Sequence, residues 1–160
     1  MNDFNASVII NSFLDYYKCN NERGVTNDEL ADIIVTYLSA QNTELKKNLK
    51  LLKDIENLDD NWDTEGAKAS NTDIINVVRK ELPFLLYQPD IFPTPDGTIQ
   101  LEWADKDLNH LNVEIINKIQ MTITEMRNHN KFASINTYLI NAYVLNNKLK
   151  EFFKSQFEPF

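Results

Sequence analysis

Cysteine is nearly absent from this chain: Cys19 is the only one in 160 residues. A single thiol makes no internal disulfide and no cysteine-based zinc site, which fits a reducing compartment. Glycine is almost as scarce, with Gly24, Gly66 and Gly97 standing singly. Loops that cradle phosphate need several glycines together, so that backbone N–H groups can approach the oxygens. The chain has no G-x-x-x-x-G-K, G-x-G-x-x-G or G-x-S-x-G run, which excludes P-loop and Rossmann enzymes and the nucleophile elbow. His110 and His129 are the only histidines. Both read as surface residues in connections, too isolated for a zinc site or a catalytic dyad.

Positive charge is in short supply too. Sixteen Lys and Arg face 24 Asp and Glu, for a formal charge of −8, and an acidic surface repels a phosphate backbone. Direct nucleic-acid binding is therefore not expected. Solubility is the simple reading of this charge; the sharper one is an acidic decoy that fills a basic partner's nucleic-acid groove. No apolar run approaches the ~18–20 residues of a membrane span. Residues 1–17 carry Asp3 and Asp15 and lack the basic leader of a signal peptide. A cytoplasmic protein without a membrane role is expected.

What is present suffices for a core: 42% of the residues are hydrophobic and 11% aromatic, enough for one domain spanning 1–160. Residues 1–57 read as a helical amino-terminal part. One helix is expected over 4–17. A second opens at Thr26, where Thr26 and Glu29 form a capping box and Val25 and Leu30 a hydrophobic staple. A third runs from Thr43 to Leu58, with Leu45, Leu49, Leu52 and Ile55 on one side and Lys46, Lys47, Lys50 and Lys53 on the other. That lysine stripe, diluted by Glu44, Asp54 and Glu56, reads as a solvated helix face.

Over 58–160 the pattern is loop, helix, strands, helix. Ser70-Asn71-Thr72-Asp73 caps a helix that ends near Pro83. Alternation then takes over in Ile99/Leu101/Trp103, Leu111/Val113/Ile115 and Ile119/Met121/Ile123, the mark of an antiparallel meander with one apolar face. Asp96-Gly97 is the strongest hairpin signal. Ile91–Thr94 reads as a fourth, edge strand because of its prolines. A long last helix is expected from Phe132 to Phe153, with Ile135, Leu139, Ala142, Leu145, Leu149 and Phe152 inward. The predicted class is α+β: amino-terminal helices, a three- to four-stranded antiparallel meander, and a long carboxy-terminal helix packed on the sheet.

Both tryptophans and two of the three glycines fall in two short stretches, Asn61-Trp62-Asp63-Thr64-Glu65-Gly66-Ala67 and Pro93-Thr94-Pro95-Asp96-Gly97-Thr98-Ile99-Gln100-Leu101-Glu102-Trp103. Together they resemble the pattern "NWDGxGA … PTPDGxxxLEW" of a family of small, mostly uncharacterised bacterial and mobile-element proteins, over about residues 58–116. The resemblance implies a fold and no established chemistry. It usually has glycine where this chain has Thr64; a positive φ at Thr64 would be strained, so a differently bent loop is the expectation here.

Candidate site residues follow from these stretches. Asp59, Asn61 and Asp63 match the first three ligand positions of a calcium loop, but Thr64 stands where glycine belongs and Ser70 where a bidentate glutamate belongs. The structural reading is preferred: Trp62 in the core, acidic and amide side chains bonded back to backbone N–H groups, and Gly66 in the turn. No metal and no cofactor are assigned. Glu102 and Glu114, on the polar side of neighbouring strands, are paired carboxylates of the kind that divide acid and base roles; a solvated sheet face is the simpler account. Phe152, Phe153, Phe157 and Phe160 crowd the carboxyl end, either folded back or presented to a partner.

The leading expectation is a non-enzymatic cytosolic factor that binds a protein, a basic one by charge. It would be antitoxin-like, immunity-like or defence-related, acting through Trp62, Asp63, Glu65, Glu102, Glu114, Phe157 and Phe160. The alternative is a small enzyme or ligand binder with a pocket between the Trp62 loop and the sheet.

Overall fold

A computed structural model describes residues 27–127, 130–137 and 140–154. The expected helix over 4–17, Cys19, the Thr26 cap, His129, and Phe157 and Phe160 lie outside these residues. The chain divides into two compact units, Met1–Glu44 and Leu45–Phe160.

The first described element is a 30-residue helix, α1 (Asn27–Glu56). The two helices expected from Thr26 and Thr43 are therefore one. Ser39-Ala40-Gln41-Asn42 contains neither glycine nor proline. The Thr43 hydroxyl, at the expected start of a new helix, donates to the Ser39 carbonyl one turn back at 3.0 Å, a bond that leaves the helix unbroken. Asn57 ends α1, its side-chain amide donating to the Lys53 carbonyl at 2.9 Å.

Within Leu45–Phe160 the elements are the end of α1, α2 (Thr72–Glu81), a 3-10 turn (Leu82–Phe84), and the strands β1 (Asp90–Pro93), β2 (Ile99–Ala104), β3 (His110–Ile115), β4 (Met121–Arg127) and β5 (Asn130–Thr137). A last helix, α3 (Ala142–Lys154), follows. Asn71 caps α2 by accepting from Asp73 N at 2.8 Å, and Pro83 turns the chain out of it. The strands form one antiparallel sheet in sequence order, so the fold is α+β, with a meander one strand longer than expected. Among the described residues β1 pairs only with β2, and Pro93, which lacks an N–H, closes it at the edge.

Two boundaries differ from the sequence reading. Ile119, expected in the third strand, lies in the β3–β4 turn and is 58% exposed. There the Asn117 side chain accepts from Ile119 N at 3.0 Å, a local Asx bond that holds the turn against strand extension. Residues 132–137, expected to begin the last helix, instead belong to β5, paired with β4 through Ile123↔Ile135 and Met121↔Thr137. The segment Ser134-Ile135-Asn136-Thr137 is poor in helix formers, and β4 would otherwise expose an unpaired edge. The helix starts only at Ala142. Asn141 caps it, accepting from Val144 N at 2.9 Å, and Glu81 takes the free Ala142 N–H at 2.8 Å.

The sheet's apolar face and the helices make one core. Leu52 and Ile55 of α1, Ile74, Ile75 and Val78 of α2, and Leu145, Leu149 and Phe152 of α3 join Ile99, Leu101, Trp103, Leu111, Val113, Ile115, Met121 and Ile123 in a single buried cluster. Each large side chain removed from water there contributes about 1.5–3 kcal/mol. Trp103 is 4% exposed and donates its indole N–H to the Tyr87 carbonyl at 3.0 Å, which removes the cost of burying that polar group.

Candidate functional site

The loop from Asp59 to Asn71 folds around its own carboxylates. Asp63 Oδ1 accepts from Glu65 N at 2.8 Å and Ala67 N at 3.0 Å, Asn61 Oδ1 from Gly66 N at 2.9 Å, and Asp60 Oδ1 from Ala69 N at 2.8 Å. The hydrogen bond from Ala67 N, followed by that from Glu65 N, holds the Asp63 carboxyl below its ordinary value, because N–H donors favour the charged form. Asn61 and Thr64 both take left-handed backbone, φ 67° and 66°, and Gly66 has φ 100°. Thr64 therefore keeps the positive φ of the glycine it replaces in the pattern and the loop does not bend differently to avoid it, although a β-branched residue disfavours that conformation.

Trp62 departs from expectation. It is half-buried and lies outside the core cluster. Its indole N–H reaches across its own loop to the Lys68 carbonyl at 3.1 Å, which ties the ring to the loop and keeps it out of the interior.

The two motif stretches meet. Lys68 N donates to the Pro95 carbonyl at 2.9 Å and Asn71 N to the Gly97 carbonyl at 3.1 Å, so the loop clasps the β1–β2 turn. Gly97 has φ 80°, and a Cβ built on it would stand 2.8 Å from the Ala69 carbonyl oxygen. Both the backbone conformation and the close approach demand glycine there.

Glu102 and Glu114 lie on the other, polar face of the sheet. The register sets Glu102 opposite Asn112 and Glu114 opposite Gln100, so the carboxylates stand on a diagonal, with backbones about 7–8 Å apart. Each has its own partners. Glu102 Oε1 lies 2.7 Å from His110 Nδ1, and Glu102 Oε2 accepts from Gln100 Nε2 at 3.2 Å. Glu114 Oε1 accepts from the Thr98 hydroxyl at 2.7 Å, itself 2.6 Å from the Thr94 hydroxyl. Among the described residues no hydrogen bond or ion pair joins Asp63 or Glu65 to Glu102 or Glu114. His110, read as a loop surface residue, is the first residue of β3 and half-buried.

Between the two glutamates sits Asn112, whose Oδ1 is buried without a hydrogen-bond partner. At the β1 edge of the same face, Asp90 and Phe92 are exposed, Phe92 by 47%. Asn112 and Thr98 carry no sequence signal beyond their polar parity with Glu102 and Glu114, and that same parity also places His110 on this face. Asp105, at the end of β2, is buried at 8% exposure. Its carboxylate is occupied by Asp107 N at 2.8 Å, Asn109 N at 2.9 Å and Asn109 Nδ2 at 2.8 Å, which makes it a turn-former.

Among the described residues no three His, Cys, Asp or Glu side chains gather in a metal-binding group, and no helix is long and apolar enough to cross a membrane. No protein-family model, curated protein or solved structure matches the chain.

Proposed function

We propose that this protein is a non-enzymatic, cytosolic protein-binding factor, and that its binding surface is the polar face of the sheet. The observation that carries this reading is how the polar groups are distributed. The carboxylates of Asp60, Asp63 and Asp105 are occupied by the chain's own N–H groups. Glu102, Glu114 and Asp90, with the unpartnered Asn112 oxygen and the exposed Phe92, share one face of regular strands. Side chains on a rigid sheet are held in place before a partner arrives, which lowers the ordering cost of association. The acidic character of the face suits a basic partner. An antitoxin-like, immunity-like or defence-related role fits the net acidic charge of −8, which suits a basic protein partner.

The test is capture of a partner from the native host, followed by the double charge reversal Glu102→Lys/Glu114→Lys. Stoichiometric recovery of a basic protein by the wild type, weakened by rising salt, and loss of at least tenfold affinity in the folded double variant are expected. A monomer that retains no partner at physiological salt, or a variant that binds as tightly as the wild type, defeats the reading.

A second reading is favoured by the 2.7 Å contact between Glu102 and His110, a carboxylate–imidazole pair of the kind that moves protons. On this reading the same face takes a small ligand, and soaking with fragment mixtures would place one against His110 and Asn112. The alternative pocket between the Trp62 loop and the sheet needs two or more of Asp63, Glu65, Glu102 and Glu114 to line one ligand, and that convergence is what such an experiment reads.

A further inference from the structure

We draw no further inference here: the strongest candidate, the exposed aromatic surface of Phe84 (45% exposed) on the 3-10 turn and Tyr143 (76% exposed) at the start of α3, two segments joined by Asn146, which accepts from Leu86 N and donates to the Phe84 carbonyl, carries nothing because nothing in the structure shows what covers it.

Discussion

Replacing Gly97 with alanine tests the clasp between the two motif stretches, and Gly66 supplies the control. Both glycines have positive φ, +80° and +100°, but a Cβ at Gly66 meets nothing within 4 Å whereas one at Gly97 lies 2.8 Å from the Ala69 carbonyl oxygen. Left-handed backbone costs an L-residue roughly 1–2 kcal/mol, and this cost applies to both variants. At Gly97 the Ala69 backbone must also retreat, because 2.8 Å is closer than real Cβ contacts come. That retreat strains the hydrogen bonds from Lys68 N to the Pro95 carbonyl and from Asn71 N to the Gly97 carbonyl. Each is worth about 0.5–1.5 kcal/mol net. Gly66→Ala should therefore lose roughly 1–2 kcal/mol and Gly97→Ala roughly 2–5 kcal/mol. The reduced entropy of the unfolded chain favours both alanines alike and cancels in the difference. Urea denaturation followed by tryptophan fluorescence reads the two values, with Trp62 reporting on the loop and Trp103 on the core. If the two variants agree within about 0.5 kcal/mol, the clasp contributes nothing beyond its turn, and the close approach at Ala69 is not a constraint.

Thr64→Gly should raise stability by about 0.5–1 kcal/mol, because relief of a left-handed β-branched residue outweighs the added entropy of glycine; an unchanged or lower urea midpoint would refute this. Trp103→Ala should cost about 3–5 kcal/mol, the range for emptying a large buried aromatic site, and a loss below about 1 kcal/mol would place the ring outside the core. Asp63 titrates below its ordinary value of 3.8, so its contribution is complete above that value and is lost as pH falls through the lowered folded pKa. Asp63→Asn should therefore flatten the acid limb of a thermal-midpoint curve below about pH 4, and an acid limb as steep as that of the wild type would show that other carboxyls set it.

Where the fold was legible in the sequence, one period dominated a segment. Ile99, Leu101 and Trp103 alternate with Gln100 and Glu102, and the structure places the first set in the core and the second on the opposite face. Leu45, Leu49, Leu52 and Ile55 recur at helical spacing and line the core side of α1. Misreading began where two periods coincide. Phe132, Ile135 and Leu139 extend the true helical series Ala142, Leu145, Leu149 and Phe152 backward, so spacing alone joins them to α3. Pairing with β4, a contact distant in sequence, decides that 130–137 is a strand. The join of the two expected helices into α1 has a related cause. Thr43, at the expected start of the second of those helices, sits in mid-helix with its hydroxyl bonded one turn back.

The site was legible only in part, because a residue type does not reveal which donors will reach it. Asp63 and Glu102 are both acidic residues near tryptophans, yet the first is occupied by Glu65 N and Ala67 N and the second faces His110 across a strand diagonal. That diagonal depends on the β2–β3 register, which the turn at Asp105–Asn109 fixes through bonds to a buried carboxylate. The residues that made the motif conspicuous, Asn61, Asp63, Gly66 and Gly97, are consumed in building the loop and its clasp. Residues that a fold needs for its own backbone carry little information about chemistry. Glu102, Asn112 and Glu114 are different: they lie outside the core cluster, and Glu102 and Glu114 bond side chains of their own face, His110 and Thr98, rather than the backbone. A function acting through this face therefore predicts that substitutions at these three positions cost less stability than Gly97→Ala while altering binding, the reverse of what Gly97 should do.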